Sequence, residues 1–266
     1  MKSYLLPVML LVAGMTVVPA RAQSRPRSTD ASVAEKPAVS KNPTFLFRTL
    51  SFSQEWDHLS NGHGFTSSLG YTEPLRNASM SLGISVPFAT ASPMTPAHGS
   101  LVLSDLALKS QWIPHVTSSH GVLLTGTLTL PTSQDDAVGT GKWSVTPSAA
   151  YARFWGPRFL LAQFVQQQVS LAGQESRARI NRTDLDLYGV YSARSLQWWI
   201  NGDVNLRIDE ANRKQPSSAT LSYGRGLKKI FGGTLNGSLQ TGVGLGRDRP
   251  YDFMLTGGIS LVGMHR

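Results

Sequence analysis

The chain has 266 residues, only 15% of them charged, with 25 glycines, no cysteine and a net charge of +9. Helical soluble enzymes carry nearer 25% charged residues, and a chain without cysteine has no disulfide framework, thiolate metal site or lipidated cysteine. The basic residues are dispersed, with no run of five or six and no helix face, which argues against a nucleic-acid partner.

The N-terminus reads as an export signal. Lys2 precedes the apolar run Tyr4 to Val18, which Ala20-Arg21-Ala22 closes as an A-x-A cleavage pattern before Gln23. Pro7, Gly14 and the shortness of the run count against a membrane anchor. Residues 1–22 are therefore expected to be a signal peptide. Their removal takes Lys2 and Arg21 from 25 basic residues, leaving 23 against 16 acids, a net +7. Residues 23–43 contain no aromatic residue and few large apolar ones, so they are expected to form a flexible periplasmic leader.

From Thr44 onward the pattern is period two. Ala78, Met80, Leu82, Ile84, Val86 and Phe88 alternate with small or polar residues, as do Val122, Leu124, Leu128 and Leu130. Trp198, Ile200, Val204, Leu206 and Ile208 alternate with Trp199, Asn201, Asp203, Asn205 and Arg207. Such alternation marks strands with one apolar and one polar face. Strands are predicted near 44–57, 64–73, 77–88, 103–114, 121–131, 142–155, 159–171, 182–193, 197–208, 217–227, 231–245 and 250–263.

These strands are long enough to cross a bilayer at a tilt. Their polar faces carry mid-strand charges that a dry sandwich core would not tolerate. Every second connection is tight, as in bacterial barrels with short periplasmic turns. The expected fold is all-β: a transmembrane antiparallel β-barrel of about 12 strands over 44–266, with both termini periplasmic, in the bacterial outer membrane. Trp56, Trp112, Trp143, Trp155, Trp198 and Trp199 fall near predicted strand ends, where aromatic girdles sit.

Residues 70–155 also carry a family likeness. Tyr71 to Leu75 precede an alternating strand ending Val86-Pro87-Phe88. Ser104-Asp105-Leu106-Ala107-Leu108-Lys109 follows, then Leu130-Pro131-Thr132-Ser133, Gly139-Thr140-Gly141-Lys142-Trp143 and Pro147. The stretch resembles the outer-membrane family named "MetA-pathway of phenol degradation", differing at Ser104 and Ser133, where that family has glycine. The likeness implies a channel for small, hydrophobic or aromatic compounds.

A channel needs lumen groups. The register turns Asp105, Lys109, Arg153, Asp184, Asp186, Asn201, Asp203, Asn205 and Arg207 inward. They would either select permeants, as charged rings do in pores, or pair with one another and fill a narrow barrel. Asp135-Asp136 reads as an outer loop rather than a calcium site, which wants six to eight oxygens. There is no phosphate loop and no histidine pair at metal-ligand spacing along the chain. The six histidines are read as lying in loops, turns or ends. No cofactor or metal is expected. The expected partners are outer-membrane lipid, a small-molecule permeant and the barrel-assembly machinery.

The rival reading rests on His58-Leu59-Ser60-Asn61-Gly62, which resembles the "H-x-S-N-G" signature of outer-membrane phospholipase A and the "H-x-S-N" of lipid A deacylases. It implies an outer-membrane lipid hydrolase with His58 as base and Ser60 as nucleophile. The third, orienting group would come from Thr72 or Glu73, which the register puts at the periplasmic end. Otherwise Ser60-Asn61-Gly62 is a hairpin turn.

Overall fold

The computed structural model describes residues 46–75, 79–90, 100–135, 137–156, 158–193 and 197–264. The expected signal peptide and leader lie outside these residues. Thirteen strands follow in chain order: β1 (Thr49–Leu59), β2 (Gly62–Pro74), β3 (Met80–Ala89), β4 (Val102–Leu103), β5 (Leu106–Val116), β6 (His120–Leu130), β7 (Lys142–Trp155), β8 (Phe159–Gly173), β9 (Asn181–Ser192), β10 (Trp198–Asp209), β11 (Ser217–Ile230), β12 (Gly233–Leu245) and β13 (Phe253–Val262).

Twelve are long, and each pairs antiparallel with its neighbour. β1 closes the ring on β13 from Thr49↔Val262 to His58↔Phe253. β4 is a two-residue addition that pairs with the end of β3 at Phe88↔Leu103 and Ala89↔Val102. Closure leaves no long unpaired edge.

Strict alternation fixes what each face carries. Outward stand Leu50, Phe52, Leu69, Leu82, Ile84, Leu108, Leu187, Leu206, Leu221, Leu239 and Ile259, all exposed. A row of exposed large apolar side chains around a closed barrel is a lipid-facing belt. Aromatic rings edge it. Trp155 packs against Phe159 with centroids 5.4 Å apart, and Trp198 lies between Tyr191 and Tyr223 at 6.1 and 6.3 Å. At the other end Trp56 stacks on His63 at 5.3 Å.

Trp199 departs from the predicted girdle. Adjacent strand residues point to opposite sides, so with Trp198 outward Trp199 turns into the barrel, where it is only 6% exposed. Arg153 departs in the other direction. It pairs with His120 in the outward phase of Tyr151, and its guanidinium sits 5.6 Å from the Trp155 ring centroid. A long arginine near a strand end can reach the interfacial zone while its stem lies along the apolar surface.

The predicted strand positions hold, with shifted ends. β1 starts at Thr49 rather than 44. Just before it, Arg48 forms a two-pronged ion pair with Glu73, Nε–Oε2 2.7 Å and Nη2–Oε1 2.5 Å, while Tyr71 donates to Glu73 at 2.5 Å. β1 and β2 also run further than predicted, leaving only Ser60 and Asn61 between them, with Leu59 paired to Gly62.

Phe231 and Gly232 join β11 to β12 with φ values of 49° and 73°. Two successive left-handed residues match the twist of a hairpin, but phenylalanine is a poor occupant of that region, and here it is 81% exposed. Phe231→Asn is expected to raise stability by about 1 kcal/mol, read as a higher urea midpoint with an unchanged slope.

Candidate functional site: the barrel lumen

The inward faces form a polar lining. β1 contributes Ser51, Ser53, Glu55 and Asp57, which share the phase opposite Phe52 and Trp56. Glu55 accepts a hydrogen bond from Thr256 Oγ1 on β13 at 3.2 Å. Asp57 lies within β1 on the inner face, and its Oδ1 is buried without a hydrogen-bond partner.

The densest polar cluster spans β8, β9 and β10. Asp184 is fully buried, takes an ion pair from Arg207 Nε and accepts from Gln166 Nε2 at 2.7 Å. Asp186, two residues on, accepts from Asn205 Nδ2 at 2.6 Å. These links join residues directly opposite in the register, Asp184↔Arg207, Asp186↔Asn205 and Gln166↔Asp184, where cross-strand side chains approach most closely. Asn201 and Asp203 follow in the same inward row, each with an Oδ1 buried and unpartnered. Lys109 lies across the barrel in the inward row of β5, opposite Gly83 and Thr127.

Asp105 lies just before β5 and takes a different part. Only 7% exposed, it accepts from Thr140 N and Oγ1 at 2.7 and 2.6 Å and from Ser133 N at 3.2 Å. One carboxylate thus holds Ser133 and Thr140 against the top of β5. Gly139 lies so close that a Cβ there would meet Asp105 Oδ1 at 3.1 Å and collide with Ser133.

The lower lumen carries an apolar cluster on the β6–β9 side. Leu123, Ala150, Ala162 and Phe164 form one buried cluster with Tyr188 against it, Phe164 and Tyr188 meeting edge to face at 6.0 Å. Trp199 lies flat over Gly224 of β11, at whose Cα any side chain would collide with the indole. At the outer end the loop 246–252 leans inward. A Cβ on Gly242 would meet Tyr251 Oη at 3.0 Å. Burial raises the Tyr251 phenol, a hydrogen bond with Ser218 opposes the shift, and the nearby Glu55, Asp57 and Asp203 add to it.

His58 and Ser60 sit at the outer end of β1. The imidazole of His58 meets His63, Nδ1 to Nδ1, at 3.3 Å, and both rings stack on Trp56. The hairpin thus pairs two histidines that sequence spacing does not reveal as neighbours. A second pair, His115 and His120, lies at the opposite end with centroids 5.2 Å apart. These four histidines are strand residues rather than loop residues; His98 and His265 lie outside the described residues. Glu73 is ten residues beyond His63 on β2, about 33 Å at the strand rise, and is engaged by Arg48 and Tyr71. Thr72 pairs with Thr49 at that same end. Neither can orient His58. Among the described residues no cluster of three or more metal-ligating side chains occurs.

Of the inward groups, Glu55, Asp57, Arg182 and Tyr188 are not singled out from the sequence, and Trp199, on the polar side of its alternating strand, is given to the girdle. The parity of each strand carried the signal for all five.

A closed twelve-strand barrel with an apolar belt and a polar interior is the architecture of outer-membrane barrels. The chain is similar to the COG4313 outer membrane channel from Pseudomonas putida F1, with a TM-score of 0.64, 15% identity, and 81% of this chain and 94% of that one covered. It is similar also to the NanC porin (TM-score 0.59, 9% identity, 81% and 100% covered) and the KdgM porin (0.57, 9%, 80% and 98%). No family model matches the chain, and no curated protein does.

Proposed function

We propose that the chain is an outer-membrane channel for small compounds, hydrophobic or aromatic ones among them, of the kind the "MetA-pathway of phenol degradation" likeness implies. The observation that carries the reading is the contrast between faces: an apolar belt outside and a polar lining inside one closed ring of strands. A self-paired plug would leave no lining group open, whereas Asp57, Asn201 and Asp203 each keep a carboxylate or amide oxygen without a hydrogen-bond partner.

The lining is narrow. Asp184 and Ser144 are fully buried, and Ser81, Ser192 and Val190 nearly so. Permeants are therefore small, and Asp184, Asp186, Asn205 and Arg207 act as a paired framework that fixes the bore. Asn201, Asp203, Glu55, Asp57 and Lys109 supply polar groups along the path. Export by residues 1–22, a periplasmic segment 23–43, insertion by the barrel-assembly machinery and residence among outer-membrane lipids complete the reading.

Planar-bilayer conductance of the refolded protein tests it, paired with uptake of aromatic substrates by a deletion strain. Discrete channel steps and a deletion-dependent uptake defect are expected. Ser60→Ala is expected to leave folding and conductance unchanged, because Ser60 is one of two turn residues and His58 is engaged with His63. Silent bilayers together with acyl hydrolysis abolished by Ser60→Ala would replace the channel with a hydrolase.

A further inference from the structure

At the outer mouth, the loop 174–180 and the start of β9 border an open recess of about 310 Å³ lined by Arg177, Arg179 and Arg182, together with Gly139, Gln168 and Asp209. That volume lies at the lower end of the range for small-molecule sites, about 300–1,000 Å³. Three arginines and one carboxylate line it, and that carboxylate is already engaged. Asp209 accepts from Asn212 N at 2.9 Å and Asn212 Nδ2 at 2.8 Å. The next acid below, Asp184, is taken by Arg207 and Gln166.

Arg182 is the telling residue. It stands in the inward phase of β9, next in that row to Asp184, and its Nε is buried with no hydrogen-bond partner. A buried donor on a fixed cation is costly to leave unmade, more so than a neutral one. Two of the walls are held in place. Arg177 Nη2 donates to Gly139 O at 2.5 Å, and the loop bearing Gly139 is pinned through Thr140 to Asp105. The recess is therefore bordered by excess positive charge and by an arginine whose donors are not all used.

We propose that this recess is the entry site for the carboxylate of a small organic acid, the arginine fork of Arg182 taking the carboxylate and Arg179 adding charge. Planar guanidinium groups match carboxylates two-pronged. Below the site the same wall carries Asp184 and Asp186, each held by its cross-strand partners, and then, from about 20 Å down, Phe164, Tyr188 and Trp199, aromatic surface that suits the body of an aromatic acid once past the entry. This assignment rests on the channel reading above and narrows it from small compounds to acids.

Benzoate, benzyl alcohol, acetate and inorganic phosphate are the probes. Saturation-transfer NMR on the refolded barrel reads binding, and planar-bilayer recording reads interruption of KCl current. Benzoate is expected to bind and to interrupt current, benzyl alcohol to do neither, and phosphate to compete no better than acetate. Arg182→Gln is expected to weaken benzoate about tenfold, the loss of one charge-assisted hydrogen bond. Arg179→Gln lies outside the strands, so it keeps the test open if the strand variant fails to refold, and a several-fold weakening is expected there. Equal effects of benzoate and benzyl alcohol, stronger competition by phosphate, or benzoate binding untouched in both variants would overturn the assignment. A conducting barrel indifferent to benzoate defeats this inference alone. A barrel that binds benzoate through Arg182 but never conducts defeats the channel reading and leaves the site standing.

Discussion

Asp184→Ala is expected to lower barrel stability by about 3 kcal/mol, the cost of breaking a buried ion pair from one side. The residue is fully buried, and two donors on different strands, Arg207 on β10 and Gln166 on β8, converge on its carboxylate. Its removal strands a guanidinium in the wall of the lumen. Urea unfolding in detergent micelles, or the fraction that keeps folded mobility on an unheated gel, reads the loss. Pairing the variant with Arg207→Met should recover much of it, because the uncompensated charge goes too. If the single and double variants unfold alike, the pair does not hold β9 to β10.

Trp199→Ala is expected to raise single-channel conductance several-fold while costing about 3 kcal/mol in stability, as large-to-small core changes do. The indole turns into the periplasmic end of the lumen, and β11 makes room for it with Gly224, a position where even a methyl group would strike the ring. Trp199→Phe should restore most of the stability and part of the narrowing. Unchanged conductance in Trp199→Ala would place the constriction nearer the outer mouth, where Tyr251 leans over Gly242.

Much of this lumen is legible in the amino-acid sequence, and one reason explains most of it. In a strand the side-chain period is two, so a single lipid-facing residue fixes the direction of all its neighbours. Leu187, Leu206 and Ile208 outward put Asp184, Asp186, Asn205 and Arg207 inward, and their pairing follows once β9 and β10 are antiparallel neighbours. The same rule, applied to Trp198, turns Trp199 inward. Strand ends obscure that rule, because every tryptophan near an end looks like a girdle residue.

Other features have no such signal. The meeting of His58 with His63 depends on a turn of only two residues, and one more loop residue would change the register. Asp105 looks like a lumen acid, yet its partners Ser133 and Thr140 come from a loop whose path no periodicity encodes. The arginine recess is invisible for the same reason. Arg177 and Arg179 lie between strands, and only the folded loop brings them to Arg182.

The seam between β1 and β13 has a consequence for the order of events. It pairs Thr49 with Val262, so the first strand made waits for the last before it has both neighbours. Contacts so far apart in the chain form late, since loop-closure entropy is lost before they return anything. Until then β1 and β13 each present a bare row of backbone donors and acceptors to any passing strand. The shape of the finished ring therefore sets a period in the life of every molecule when it is complete in sequence, open along one side, and dependent on whatever shields that side until the ends meet.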